Sequence, residues 1–487
     1  MKKHRSRFLS GLLVVAMVAA LAIPAAAEMV QLNATTGVTI YVDDQKVDPR
    51  NSQGDQVDAL LTGGTTYLPI RALGDALGKD IGWDESTTTA YVSGYEADPK
   101  AAEYLEEYFD IAPLSGTVSR AAFDAALEAI GGSATEGTGD LAVADAVVAA
   151  VKAAGLDELA QTYTRDNNAK ANERIAACGL PAMEGEVAAY VAAALDSDLA
   201  YATFDFDAAL DAETANTLLM NAVNISGQGR RYLGRASDSD IYSKLQAAWD
   251  SFGNFDDPVL SSLGEQLVLQ QASTGYNLKF DGYNANFLSE YTLQYGHSDI
   301  THAVQLIALL NSEGIDALIQ LEPKTSIYEY MVEWGDPTQV ESTPTYELRQ
   351  IEGTDRWLCY ATEYDMKLEF DSIEDKNAFD GIVNEYAKKW IANENEDGSF
   401  TPSLLAGAWW QPLYTSTVPM ADTEAYTLIQ DNVIHNGAYS IHPFSLAGNN
   451  AEIVRVVSEE APDLSVDVVD LYVNMAFFRY LNGDDSE

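Results

Sequence analysis

Between residues 30 and 94 the hydrophobic period changes from two to 3.6 and back to two, and each change carries a turn cue. Residues 38–42 (VTIYV) read as a strand, which Asp43, Asp44 and Gln45 bend back towards Val47. A second apolar strand follows at 65–70 (TTYLPI). Ile70, Leu73 and Leu77 then recur at i, i+3, i+7, one face of a short helix that Gly78 ends. Residues 81–84 (IGWD) and 88–92 (TTAYV) flank Glu85, Ser86 and Thr87, which predicts a closing hairpin. So many switches in so short a segment leave room for one solution, a small β-rich unit with a single helix.

The run TTYLPIRALGDALG, followed by IGWDESTTTAYVSG, resembles the stalk domain named after the N-terminal domain of copper amine oxidases. Tyr67, Pro69, Arg71, Leu77, Gly78, Trp83 and Asp84 occupy the places of that family's pattern. The resemblance implies a spacer or adhesion module of secreted and surface proteins of Gram-positive-type bacteria. It does not imply oxidase chemistry, which belongs to a separate catalytic domain with histidine-bound copper; residues 28–94 contain no histidine. Arg71, Trp83 and Asp84 could touch a ligand, but the preferred reading is structural, with Trp83 filling a core and Arg71 pairing with a local carboxylate.

Beyond residues 94–100 the composition turns to alanine. Ser119 is placed to cap a helix carrying Phe123, Leu127 and Ile130 on one face, stopped by Gly131 and Gly132. Residues 133–140 form a loop, 141–154 a second helix and 186–195 a third, so 98–200 is expected to be a helical region of packed pairs. The phrases TVSRAAFDAAL and EVAAYVAAALDSDLA resemble surface-layer homology repeats, which hold proteins to anionic wall polymers. Arg120 echoes their Thr-Arg motif, but Ser119 replaces the threonine and no three-fold repeat is present.

Lys2, Lys3, Arg5 and Arg7, an apolar run over 8–23, and Ala25, Ala26 and Ala27 read as a secretory signal peptide at 1–27. That apolar run is shorter than the ~20 residues a bilayer span needs, and no later stretch is longer, so no integral membrane span is expected after cleavage. The expected location is secreted or extracellular, at the cell surface or cell wall. With 75 acidic against 28 basic residues, the chain repels phosphate backbones, and nucleic acid is excluded as a partner. Cys178 and Cys359 either pair or stay as free thiols; their spacing decides nothing.

The region from 201 to 487 is expected to be one larger α+β domain. It holds no phosphate loop, nucleophile elbow or HExxH pair. Arg230, Arg231 and Arg235 are read as internal salt-bridge partners rather than a glycan-binding cluster. Residues 393–398 (NENEDG) imitate the start of a calcium loop, but Leu404 stands where the bidentate glutamate belongs. His297, His302, His435 and His442 could assemble a metal site; satisfied or solvated histidines are the preferred reading. Trp409 and Trp410, near Pro412 and Tyr414, read as core or interface rather than a sugar platform. Residues 466–481 are expected to close the chain as an amphipathic helix.

One segment goes further. Residues 300–311 (ITHAVQLIALLN) form a strong helix with Ser298 or Asp299 as cap, ended by Gly314, and 315–321 continue as a buried strand. This unit resembles the core of transglutaminase-like domains, in which a cysteine heads such a helix. Asp299 stands at the cysteine's place, Tyr346 near the expected histidine, and Tyr360 and Ala361 near the expected aspartate, so the resemblance over 280–370 implies a catalytically degenerate domain. No catalytic, cofactor-binding or metal residue is assigned. The whole reads as an α+β multidomain chain with a non-catalytic binding or structural role, cell-wall polymer or peptidoglycan being the expected partner. The alternative is an extracellular hydrolase or transferase acting on wall peptide or glycan.

Overall fold

The computed structural model describes residues 32–42, 45–51, 55–77, 79–84, 89–93, 97–386, 413–422, 425–444, 448–474 and 477–478. The chain divides into two units, residues 1–226 and 227–487. The first begins with β1 (Thr35–Val38), β2 (Ile40–Val42), β3 (Gln45–Val47), β4 (Ala59–Thr62) and β5 (Thr65–Tyr67). A short helix, Ile70–Ala76, separates these from β6 (Asp80–Asp84) and β7 (Thr89–Ser93). β2 and β3 pair as the expected hairpin, with Ile40 opposite Val47. β6 and β7 pair from Asp80–Ser93 to Asp84–Thr89. Arg71 is exposed, and the side chains of Trp83 and Asp84 lie outside the described residues.

Seven helices follow, Ala101–Phe109, Arg120–Ala129, Val143–Ala153, Asp157–Gln161, Arg165–Ala177, Gly185–Asp196 and Ala212–Ile225. Ser119 caps the second, its hydroxyl accepting from the Ala122 N–H. Gly185–Asp196 is apolar on every side and buried from Ala188 to Leu195, as a central helix must be. Its alanines let neighbouring helices approach closely. Arg120 acts locally. Its guanidinium donates to Thr135, to the Glu136 carbonyl and to the Asp140 carbonyl, and so pins the 133–140 loop. Helical packing does not stop at residue 200; it runs through Ala212–Ile225, and the compact unit ends at Ser226.

The second unit is built on β8 (Gly234–Arg235), β9 (Gly275–Phe280), β10 (Thr292–His297), β11 (Ala317–Glu329), β12 (Tyr346–Gln350), β13 (Trp357–Phe370), β14 (Leu413–Ser416), β15 (Tyr426–Asn436), β16 (Tyr439–Pro443) and β17 (Val466–Asn474). Eight of these close into an antiparallel barrel in the order β9-β11-β13-β10-β14-β17-β15-β16, returning to β9; β12 and β8 flank the long strands β13 and β11. The multidomain α+β class expected from the sequence is the one found.

The expected helix at 466–481 is corrected by β17. Val466, Val468, Val469 and Val473 are β-branched and favour a pleated strand, and β15 offers a partner that pairs with all nine residues from Val466 to Asn474. The helix expected at residue 300 is present as Ile300–Glu313, with the Asp299 carboxylate accepting from the Thr301 N–H and Gly314 left-handed at its end (φ 70°).

The barrel is turned inside out relative to a globular sandwich. Ile319 and Leu321 of β11, Tyr364, Met366, Leu368 and Phe370 of β13, and Leu293 and Tyr295 of β10 face outward into a core with Leu306, Ile307 and Leu310 of the helix. A second outer core joins Tyr276, Leu278, Ile327, Ile434 and Ile441 to the helices Pro258–Leu269 and Asn450–Glu460. Because side chains alternate along a strand, covering the apolar outside with helices sends the intervening residues inward, and on β11 and β13 these include Gln320, Glu322, Lys324 and Ser326 and Glu363, Asp365, Lys367 and Glu369.

Candidate functional site

The inward set follows from register. Glu322 lies opposite Asp365, Lys324 opposite Glu363, and Gln320 opposite Lys367 across β11 and β13. On the other side of β11, Lys324 lies opposite Lys279 and Ser326 opposite Asn277. Charges enclosed in this way must pair, since burial without a partner costs several kcal/mol per ion. Arg230 meets Glu369 at 3.1 Å and Lys367 meets Glu322 at 3.1 Å. The 281–291 segment stoppers that end of the barrel: the Ala285 N–H donates to Glu322, the Leu288 N–H to Glu369, and Gln320 to the Tyr283 carbonyl.

Above this plug lies a cavity of about 250 Å³, walled by Lys279, Lys324, Asp365, Glu363, Asp431 and His442 among its polar groups and bounded elsewhere by Ile429, Pro443, Phe444 and Leu471. Lys279 and Lys324 donate to the two oxygens of one carboxylate, Asp365, at 2.6 and 2.7 Å. Burial alone would raise the Asp365 carboxyl; the two ammonium groups hold it well below the usual carboxylate range. Lys279 is raised despite its burial, chiefly by Asp365. Lys324 and Glu363 stand 3.9 Å apart, beyond hydrogen-bond reach, while Glu363 accepts from Ser326. On the facing wall the His442 Nδ1 lies 2.7 Å from Asp431, whose carboxyl burial would raise but His442 holds low.

His297 lines the cavity and meets His302. The Asp299 N–H donates to His297 Nδ1, so the His297 proton sits on Nε2 and is given to His302 Nδ1 at 2.7 Å. Burial first and His302 second push His297 down to about 3. His297 and His442 line the same cavity, but His435 is 3.5 Å from Asp281, and no group of three or more His, Cys, Asp or Glu side chains that could hold a metal ion is found among the described residues.

Ser440, His442 and Asp431 have the connectivity of a nucleophilic relay, with Ser440 Oγ 3.3 Å from His442 Nε2. Ser440 is buried, however, lies 3.3 Å from Asp281 as a donor, and is not part of the cavity wall. The positions marked by the transglutaminase-like pattern go separate ways. Asp299 caps its helix, Tyr346 donates to Cys359, and Tyr360 stacks under the Arg349 guanidinium, whose carbon is 4.2 Å from the ring centre. Both cysteines are free; Cys359 is buried against Tyr346, its thiol pushed up by burial, and Cys178 contacts Arg174. Arg230 and Arg235 are internal partners as expected, Arg235 bridging Asp316 and Asp371. The calcium-like run at 393–398 and Trp409 and Trp410 lie outside the described residues, as does the expected signal at 1–27.

A family model described as the copper amine oxidase N-terminal domain matches residues 29–98, the segment assigned to the stalk. Comparison with curated proteins returned no match, and comparison with solved structures returned none. No helix among the described residues is long and apolar enough to cross a membrane.

Proposed function

We propose that this is an exported, surface-located protein with a non-catalytic binding role, its stalk-type and helical segments associated with cell-wall polymer and its barrel holding a small polar ligand. The observation that carries the reading is the barrel interior. Polar and charged side chains converge on a cavity of about 250 Å³, near the lower size limit of small-molecule sites, with apolar lining from Ile429, Leu471, Pro443 and Phe444. Buried ion pairs are weak contributors to stability, so a barrel lined with them is better explained by recognition than by packing. Catalysis is disfavoured because Ser440, whose hydroxyl adjoins the His442–Asp431 pair, is buried and does not line the cavity.

Incubating the purified chain with isolated peptidoglycan and wall polymer tests location and chemistry together. Sedimentation with the wall, reversed by soluble wall fragments and without release of new reducing sugars or amines, is the expected result. Failure to sediment would remove the wall as partner. Released fragments that disappear in Ser440→Ala would establish the hydrolase alternative instead.

A further inference from the structure

The charged groups of the cavity define what it can hold. Each lysine ammonium has three donors, and among the described residues Asp365 is the acceptor within hydrogen-bond distance of both Lys279 and Lys324. Both ammonium groups hydrogen-bond the one carboxylate of Asp365, Asp431 is engaged by His442, and Glu363 is held 3.9 Å from Lys324 without touching it. That arrangement offers an anionic group two ammonium donors and a cationic group a carboxylate, a short step apart. The spacing suits the adjacent charges of an α-amino acid and does not suit a ligand with its charges at opposite ends.

Gly296 keeps the lysine side open. A Cβ there would lie 3.0 Å from Asp365 Oδ1 and 3.2 Å from Lys324 Nζ, on top of the groups just described. Ile429, Leu471, Pro443 and Phe444 give the cavity apolar lining beside Asp431 and His442. Overall charge selects in the same direction: a chain of net charge −47 repels free anions, whereas a zwitterion approaches without penalty.

We propose that the barrel cavity is a receptor site for a free α-amino acid with an apolar side chain, its carboxylate on Lys279 and Lys324, its ammonium on Glu363 and its side chain against the Ile429–Phe444 wall. The proposal rests on the binding reading above. It is tested by isothermal calorimetry on the full chain with alanine, valine, leucine and phenylalanine of both hands, and with N-acetyl-leucine, leucinamide, leucylglycine, glucose and inorganic phosphate.

A free apolar amino acid should bind saturably. Loss of either charge, in N-acetyl-leucine or leucinamide, should weaken binding by about tenfold or more, and leucylglycine, whose charges are separated, should weaken it similarly. Gly296→Val should abolish binding with the near-ultraviolet dichroism unchanged. Glu363→Gln should narrow the preference for leucine over N-acetyl-leucine, a selectivity change that misfolding does not produce. Equal binding of leucine and N-acetyl-leucine, or no binding of any amino acid, overturns the proposal. If glucose or phosphate binds and Gly296→Val prevents it, the cavity remains a binding site of another ligand class. If no probe binds, the small-ligand reading of the barrel falls as well.

Discussion

At His297 two imidazoles and a backbone N–H compete for one proton. The ring accepts from Asp299 on one side and donates to His302 on the other, a pattern that only the neutral form can complete. Its pKa falls from 6.5 to about 3, with burial and His302 lowering it, Asp299 opposing, and Lys324 adding to the depression. The unfolded chain therefore binds a proton that the folded chain refuses. The contribution is fully present above about pH 6.5 and is lost progressively as pH falls towards 3. The slope should approach about 1.4 kcal/mol per pH unit between those limits. Depressed carboxylates such as Asp365 and Asp431 lose their contribution only near and below their ordinary range of about 4, so the interval from about pH 6 to about pH 4.5 lies above theirs, and the difference between the native sequence and a His297 variant reads the ring. Denaturant titrations across that interval should show stability falling in the native sequence and a flatter profile in His297→Gln; parallel profiles would mean that the ring is protonated in the folded state.

The barrel holds its inverted polarity because helices seal its outside, and one contact shows how closely. Gly264, in the helix Pro258–Leu269, faces Tyr276 of β9 so tightly that an added Cβ would overlap the ring at 2.2 Å. Tyr276 is fully buried and cannot swing away. Gly264→Ala gains helix propensity, yet the overpacking should dominate and destabilise the protein by about 1–3 kcal/mol. An unchanged or higher melting temperature would show that helix and strand slide apart freely. The elements most legible in the sequence are those whose local chemistry agrees with their packing. Ser119 and Asp299 cap helices, Gly314 ends one, and β2 pairs with β3 as the residues indicate. The site was less legible for a physical reason. Residues 363–370 (EYDMKLEF) alternate perfectly, which announces a strand, but alternation does not say which face meets water. Outside helices bury the apolar face, and barrel closure buries the charged one; both facts depend on contacts far away in sequence. Lys279, Lys324, Glu363, Asp365 and Asp431 belong to no sequence motif, and only the register, which sets Lys324 opposite Glu363, brings them together. The helix expected at 466–481 failed similarly, because β15 supplies a partner that local periodicity does not record.

For the chain as a whole, the division at residue 226 has consequences for stability and for the site. Both outer cores of the barrel are assembled wholly from residues beyond 227, and so are the interior ion pairs and the plug that stoppers one end. The helical segment forms its own core around Gly185–Asp196. Closure also leaves the eight barrel strands without free edges except where β8 and β12 pair at its flanks, which removes the usual route to aggregation of an isolated sheet. Residues 227–487 expressed alone should therefore fold cooperatively, with a melting transition that coincides with one of those in the full chain, and residues 32–226 should account for the remainder. Since excess negative charge opposes compaction in both pieces, raising ionic strength from about 0.01 to 0.15 M, which shortens the screening length from about 30 to 8 Å, should raise both transitions. A single transition in the full chain that neither piece reproduces would show instead that the two cores depend on each other, and the ligand site would then have to be studied only in the intact molecule.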